Sequence, residues 1–211
     1  MIHLLGQTKH LTAVAVSGGI DSMAALSFLS RGNPKIKAVY FHHGTQHGDE
    51  ALLFLREYCS SQAIHLLTGR ISSEKTKDVS WEEYWRAQRY QFLTTLDERL
   101  ATAHQLNDAA ETYVMGFIRG GHPRIIPYHR PPNIYRPFLL APRTELEAWC
   151  QRHQVPWIED PSNQDTDYDR NRIRHKILPE MLAMNPGFLG QVARKVKSTG
   201  EANMLLSMNE T

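Results

Sequence analysis

The sequence predicts an α/β protein in which a doubly wound, mostly parallel sheet carries helices on both faces. Short apolar runs alternate with stretches of helical period, and such alternation implies right-handed crossovers and a sheet covered on both sides. The first run ends on a Ser-Gly-Gly turn that leads directly into a helix. The 211 residues suffice for one well-packed domain with a short appendage, and neither an internal repeat nor a low-complexity tract interrupts them.

The elements follow in order. Residues 11–16 form an apolar strand, Ser17, Gly18 and Gly19 a tight turn, and Met23, Leu26, Phe28 and Leu29 the apolar face of a helix. Asn33 and Pro34 break that helix, and residues 36–41 give a second strand ending at His42, His43 and Gly44. Leu52, Leu53, Leu55, Tyr58 and Cys59 mark the next helix, residues 64–68 a third strand, and residues 71–80 a polar connection. Ser80 with Glu83 has the form of a capping box. Trp81, Tyr84, Trp85, Gln88 and Phe92 then share a helical face, which makes the aromatics core residues; for Arg86 and Arg89 a phosphate contact and a solvated face are both open. Residues 100–104 are a fourth strand running into a helix that continues to Ile118 and stops at Gly120 and Gly121. Residues 122–137 read as a Pro- and Arg-rich loop holding a buried strand that ends in Phe138, Leu139 and Leu140. Residues 143–153 are amphipathic, and from Met181 onward a helical tail is expected, so that residues 1–182 make one domain and residues 183–211 an appendage.

Composition narrows the function. With 41% hydrophobic and 22% charged residues the chain is ordinary for a globular protein, and no apolar run approaches the length of a membrane span. The first ten residues have no basic region followed by a long apolar core, which leads to the expectation of a cytoplasmic protein. Cys59 and Cys150 are isolated, so thiol relays and cysteine metal sites lack support and both are expected to be buried hydrophobes. His42, His43 and His47 lack the accompanying carboxylate or cysteine spacing of a metal site. Residues 1–118 hold 11 Lys/Arg against 12 Asp/Glu, whereas residues 119–197 hold 13 against 8, a balance that suits either a nucleic-acid partner or arginines scattered on a solvated face.

The chemistry sits in three stretches. Two glycines at a strand-to-helix turn let backbone N–H groups converge, and the helix dipole adds positive potential, so the segment from Ser17 to Ser22 suits an anion. A Walker loop would carry a lysine there; this loop carries Asp21. Asp108 and Glu111, three apart at a helix start, either bind an ammonium group or complement the helix dipole. If the fourth strand lies beside the first, that helix start faces the phosphate loop across the crevice in which doubly wound sheets bind ligands. The third stretch is Trp157-Ile158-Glu159-Asp160-Pro161-Ser162-Asn163 followed by Arg170-Asn171-Arg172-Ile173-Arg174-His175.

The Ser-Gly-Gly-x-Asp-Ser loop resembles the PP-loop of ATP pyrophosphatases, with an adenine nucleotide alpha hydrolase-like fold. Together with His104-x-x-x-Asp108-x-x-Glu111-Thr112, the Asp-Pro-Ser-Asn stretch and Arg-Asn-x-Ile-Arg-His, in that order, it resembles the tRNA(Ile)-lysidine synthase family over residues 11–182. That resemblance implies ATP and Mg2+ as cofactors, free lysine as amine donor, and tRNA(Ile) with a CAU anticodon as partner. A ligase would adenylate the C2 oxygen of the wobble cytidine, then let the lysine side chain displace AMP. Ser17, Gly18, Gly19, Ile20, Asp21 and Ser22 are then the ATP-binding residues, with Asp21 near magnesium. Asp108 and Glu111 hold the lysine amine, one of them accepting its proton, and Arg172 and Arg174, with Asn171, match family positions near the reacting centre. Arg119, Arg124, Arg170 and Asn171, with Arg172 and Arg174, are expected to contact tRNA. Membrane association is not expected, and a homodimer is left open.

The chain departs from the family at Asn107, where a second aspartate is usual, and it is expected to lack a further tRNA-gripping domain. The alternatives are another PP-loop tRNA-modifying or amide-forming adenylating enzyme, or a catalytically impaired tRNA-binding homologue.

Overall fold

A computed structural model describes residues 2–71, 75, 78–161, 165, 166 and 168–208. The sheet has the order β3-β2-β1-β4-β6-β5, and all neighbours are parallel except β5 and β6. Its strands are β1 (Ala13–Val16), β2 (Lys37–His42), β3 (Leu66–Arg70), β4 (Leu100–Thr102), β5 (His129–Arg130) and β6 (Ile134–Tyr135). The helices between them are α1 (Ile20–Gly32), α2 (Gln46–Ser61), α3 (Trp81–Thr95) and α4 (Leu106–Ile118). After the sheet come α5 (Arg143–His153), the short α6 (Asp169–Arg172), a π-helical turn (Ile173–Ile177), α7 (Leu178–Met184) and α8 (Phe188–Met208).

Strand residues alternate between faces, and the alternation sorts the core. Val14, Val16, Ala38 and Tyr40 pack with Met23, Leu26, Leu55, Leu146 and Cys150 from α1, α2 and α5. Ala13, Val39, Leu100 and Ile134 pack on the other side with Tyr90 and Leu93 of α3. A further cluster joins Leu106, Ala109 and Ala110 of α4 to Val192 and Val196 of α8, with Leu139 and Tyr128 between them. Cys59 and Cys150 are buried free thiols, and burial pushes each up to about 11.

The expected strand at residues 138–140 is a turn, closed by Ala141 N–H donating to the Phe138 carbonyl at 2.9 Å. The apolar signal there is real, since Phe138 and Leu139 are fully buried, but it plugs two core clusters. The strands of this region are the two-residue β5 and β6, too short to carry a period. Trp81 also departs from its expected core position: it is 58% exposed at the first turn of α3, its ring tilted against Trp85, while Tyr84 is buried. Ser80 does cap α3, its Oγ accepting the Glu83 N–H at 3.2 Å. Among the described residues no helix is long and apolar enough to cross a membrane.

Because Phe138 is wholly buried, with its ring edge-on to Phe28 at 6.1 Å, Phe138→Ala removes the plug without another group to refill it. It should cost about 3–5 kcal/mol, read as a lowered urea midpoint at unchanged slope.

Candidate functional site

β1 pairs with β2 on one side and β4 on the other, so the chain winds outward in opposite directions from the β1/β4 boundary. The turn after β1 and the start of α4 after β4 therefore face one crevice at the C-terminal strand ends.

The turn is built for an anion. Gly18 adopts φ +87°, and a Cβ there would stand 2.9 Å from the Ile158 side chain, so conformation and packing both require glycine. Ile158 N–H donates to the Gly18 carbonyl at 3.0 Å, which lays the Trp157–Ile158 part of the acidic stretch across the loop. Ser22 Oγ donates to the Gly19 carbonyl at 2.8 Å and accepts from Ser17 N–H at 3.1 Å, and Ser17 Oγ accepts from Gly19 N–H at 3.4 Å. Gly19 is the N-cap of α1 and supplies no side-chain oxygen, so the first helical amides of Ile20 and its neighbours keep their donors for a ligand.

Asp21 stands in the first turn of α1 with a buried Oδ1 that has no hydrogen-bond partner among the described residues. Burial, and then the negative charge of Asp108, push its carboxyl up to about 7, against the pull of Arg143 and Arg174. A divalent cation at that oxygen would reverse the first two effects, and phosphate oxygens of a nucleotide would complete its coordination. Asp21 is a fit for magnesium on those grounds, while no group of three or more His, Cys, Asp or Glu that could hold a metal occurs among the described residues.

Across the crevice Asp108 and Glu111 meet two guanidiniums. Glu111 is 1% exposed; its Oε1 accepts from Arg174 Nε at 2.6 Å, and its Oε2 accepts from Arg170 Nε at 2.8 Å and Arg174 Nη2 at 3.0 Å. Asp108 Oδ1 accepts from Arg170 at 3.2 Å and Arg174 at 3.3 Å, and its Oδ2 accepts the Gln105 N–H at 3.0 Å in a capping box. Burial alone would lower both guanidiniums; the two carboxylates outweigh it and hold them up. Thus the acid pair faces arginines in this structure.

The remaining expected residues divide. Arg174 joins the cluster, but Arg172 is exposed and forms no ion pair with Asp108 or Glu111 among the described residues. Asn171 Nδ2 donates to the Asp165 carbonyl at 2.8 Å. Arg119 pairs with Asp169 at 3.0 Å in an exposed bridge, and Arg124 is exposed on the connection after α4. Ser162 and Asn163 lie outside the described residues. Asn107 has a clear local role, since its Oδ1 accepts the Arg143 N–H that opens α5 at 3.1 Å, a bond either Asn or Asp provides. His42 is buried, its Nδ1 accepting from Gly44 N–H at 2.8 Å and its Nε2 facing Asp49 at 3.0 Å. Burial lowers His43 to about 4.

Arg170 was expected at RNA and stands instead at the centre of the cluster. Its four-residue spacing from Arg174 is the signal that reveals it, because such residues share a helical face. Arg89, Arg130 and Arg136 gather near it from α3, β5 and the end of β6, a meeting no local pattern encodes.

A family profile described as a PP-loop domain matches residues 2–181. The tRNA(Ile)-lysidine synthase of Haemophilus ducreyi is 33% identical, with 92% of this chain and 47% of that protein aligned. That of Neisseria meningitidis serogroup B is 36% identical over 92% of this chain and 49% of its own length. That of Legionella pneumophila strain Lens is 33% identical over 97% and 50%. The chain spans about half the length of the curated relatives it matches. Among solved structures, NMN synthetase from Francisella tularensis has the same fold at a TM-score of 0.50 and 15% identity, covering 89% of this chain and 87% of that one.

Glu111→Ala leaves two part-buried guanidiniums with only their longer bonds to Asp108 and should destabilise the fold by about 1.5–3 kcal/mol in denaturant titration. Asp21 binds its proton near pH 7 when folded and near its ordinary 3.8 when unfolded, so its contribution to stability is full below 3.8 and is lost as pH rises through about 7. Asp21→Asn should accordingly melt higher than the parent at pH 8 and close to it at pH 4; a parent advantage at pH 8 contradicts the assignment.

Proposed function

We propose that this chain, which belongs to the PP-loop domain family, carries the adenylating and amine-transfer chemistry that makes lysidine at the wobble cytidine of tRNA(Ile) with a CAU anticodon. The observation that carries the reading is the meeting of the Ser17–Ser22 loop with Asp108, Glu111 and Arg174 across one crevice. Support comes from the family match over most of the chain and from relatives named as tRNA(Ile)-lysidine synthases.

Ser17, Gly18, Gly19, Ile20 and Ser22 hold the pyrophosphate portion of ATP on backbone amides and hydroxyls. Magnesium bound at Asp21 would offset charge on the leaving pyrophosphate. The cytosine C2 oxygen attacks the α-phosphorus, the bond to pyrophosphate breaks, and the base is left adenylated. The lysine side-chain amine then attacks C2, AMP leaves with the oxygen, and the amine gives its proton to an acid of the 108/111 pair. Arg174 is bonded to Glu111 and lies within electrostatic reach of Asp21, so its fixed charge would be available to the phosphate undergoing transfer. The carboxylate oxygens of Asp108 and Glu111 are engaged by guanidiniums and by the Gln105 amide, so an arriving ammonium exchanges with a guanidinium. Arg119, Arg124, Asn171 and Arg172 offer contacts to the RNA around the crevice.

The test incubates the protein with ATP, labelled lysine and a tRNA bearing a CAU anticodon, and analyses the nucleosides by mass spectrometry. A lysine adduct on cytidine with stoichiometric AMP is expected, and Asp21→Ala should abolish both. AMP release without the adduct would assign a different acceptor to the site.

A further inference from the structure

Next to Arg170, and with no residue of the β1 loop in its lining, a half-open cleft of about 250 Å3 is lined by Arg86, Arg124, Arg130, Arg136, Arg170 and His104, with residues 125–127 as its apolar wall. Among the described residues Arg86, Arg124, Arg130 and Arg136 make no ion pair with a carboxylate. Asp108 and Glu111 lie behind Arg170, and their two charges are balanced by Arg170 and Arg174. The cleft therefore holds guanidinium charge that nothing within it neutralises.

The deepest of these groups is Arg136. It is 3% exposed; Nη1 donates to the Pro127 carbonyl at 2.7 Å, Nη2 reaches Tyr90 Oη at 3.4 Å, and Nε has no partner among the described residues. Tyr90 is the common backing: the guanidinium carbons of Arg130, Arg86 and Arg89 lie 3.8, 5.0 and 5.5 Å from its ring centre. Burial would raise its phenol, and Arg136, Arg86 and Arg89 together outweigh burial and lower it. His104 is held well below its ordinary range by burial and then by Arg136 and Arg89, so it adds no charge. Cation–π contacts orient the guanidiniums without neutralising them, and crowded cations with a buried unpaired donor call for an anion.

We propose that this cleft is a second oxyanion site, separate from the loop after β1, and that it takes backbone phosphates of the RNA strand. The inference rests on the RNA substrate proposed above. One carboxylate satisfies one guanidinium fork, whereas four arginines without a carboxylate partner among the described residues match successive phosphodiesters, each bringing one charge and two open oxygens. The open mouth lets a strand enter and leave, and the rim residues Arg86 and Arg124 are exposed while Arg136 forms the floor. Arg170 belongs to this cleft and to the acid cluster at once, so a strand seated here runs alongside the reacting crevice.

The test titrates a fluorescent CAU stem-loop against the parent, Arg124→Gln, Arg130→Gln and Arg136→Gln, at two salt concentrations, with circular dichroism as the check on folding. Each folded variant should bind the stem-loop about tenfold more weakly, the low end for a lost charge-assisted hydrogen bond, with the salt slope reduced by about 0.7. ATP affinity, measured by calorimetry without RNA, should stay unchanged. Equal stem-loop affinity and slope in folded variants overturns the proposal, as does failure of the parent to bind the stem-loop. Loss of inorganic pyrophosphate binding with RNA affinity intact assigns the cleft to pyrophosphate and also overturns it; a raised KM for lysine with RNA affinity intact does the same in favour of a carboxylate. Adduct formation on full tRNA is scored separately, so a parent that makes lysidine while the variants bind RNA normally refutes this inference alone.

Discussion

The buried carboxylate of Glu111 is the constraint on which the crevice depends. A charge with 1% exposure inside a helix is tolerated only with cations supplied by the fold, and both come from beyond the sheet, from Arg170 and Arg174. The α6 segment is four residues long and has no buried side chain, so it has little apolar reason of its own to dock. Its ion pairs fix it against α4, and buried Ile173 and Leu178 continue the anchoring into the π-helical turn and α7. Functional geometry and local structure therefore share one set of bonds.

A second constraint is the place of β1 between β2 and β4. Parallel crossovers put every strand's C-terminal end on one side, and the reversal at β1/β4 leaves the two following helix starts without a helix between them. Asp21 and Asp108 come close enough for each other's charge to matter, as the raised Asp21 carboxyl records. On the proposed function, an arriving cation would relieve both, and an arriving phosphate would meet Arg174 and the amides of α1. Opposite charges are thus stored in the crevice as partly compensated pairs, ready to be exchanged for substrate groups.

Much of this was legible in the sequence because it is local. The strand, Ser-Gly-Gly turn and helix around Asp21 follow from a dozen consecutive residues, and the shared face of Asp108 and Glu111 from their spacing. The 143–153 helix ends at the residues its amphipathic pattern indicates. The buried run at Phe138 and Leu139 was legible as buried but not as a turn, since burial has no period in three residues. Trp81 reads as core from its spacing and is exposed because the face it continues ends at the first turn of α3. Arg172 stands out with Arg174 in the motif, yet Arg170, four positions before Arg174, shares its face; that spacing is legible, but which face meets α4 is not, since a four-residue helix has no apolar period.

The arginine cleft was illegible for a different reason. Its members come from α3, the connection after α4, β5, the end of β6 and α6, and only the sheet order β4-β6-β5 brings them together. The excess of basic residues in the second part of the sequence announces a charge but no place for it. Tyr90 supplies the place: a buried ring on α3 under β6 offers π faces and a hydroxyl around which guanidiniums gather from both sides of the sheet edge. Arg170 then joins that cationic cleft to the acids of α4. Any anion that draws on Arg170 weakens its hold on Asp108 and Glu111, and any cation that takes those acids frees Arg170, so occupancy of the two regions is linked through one side chain.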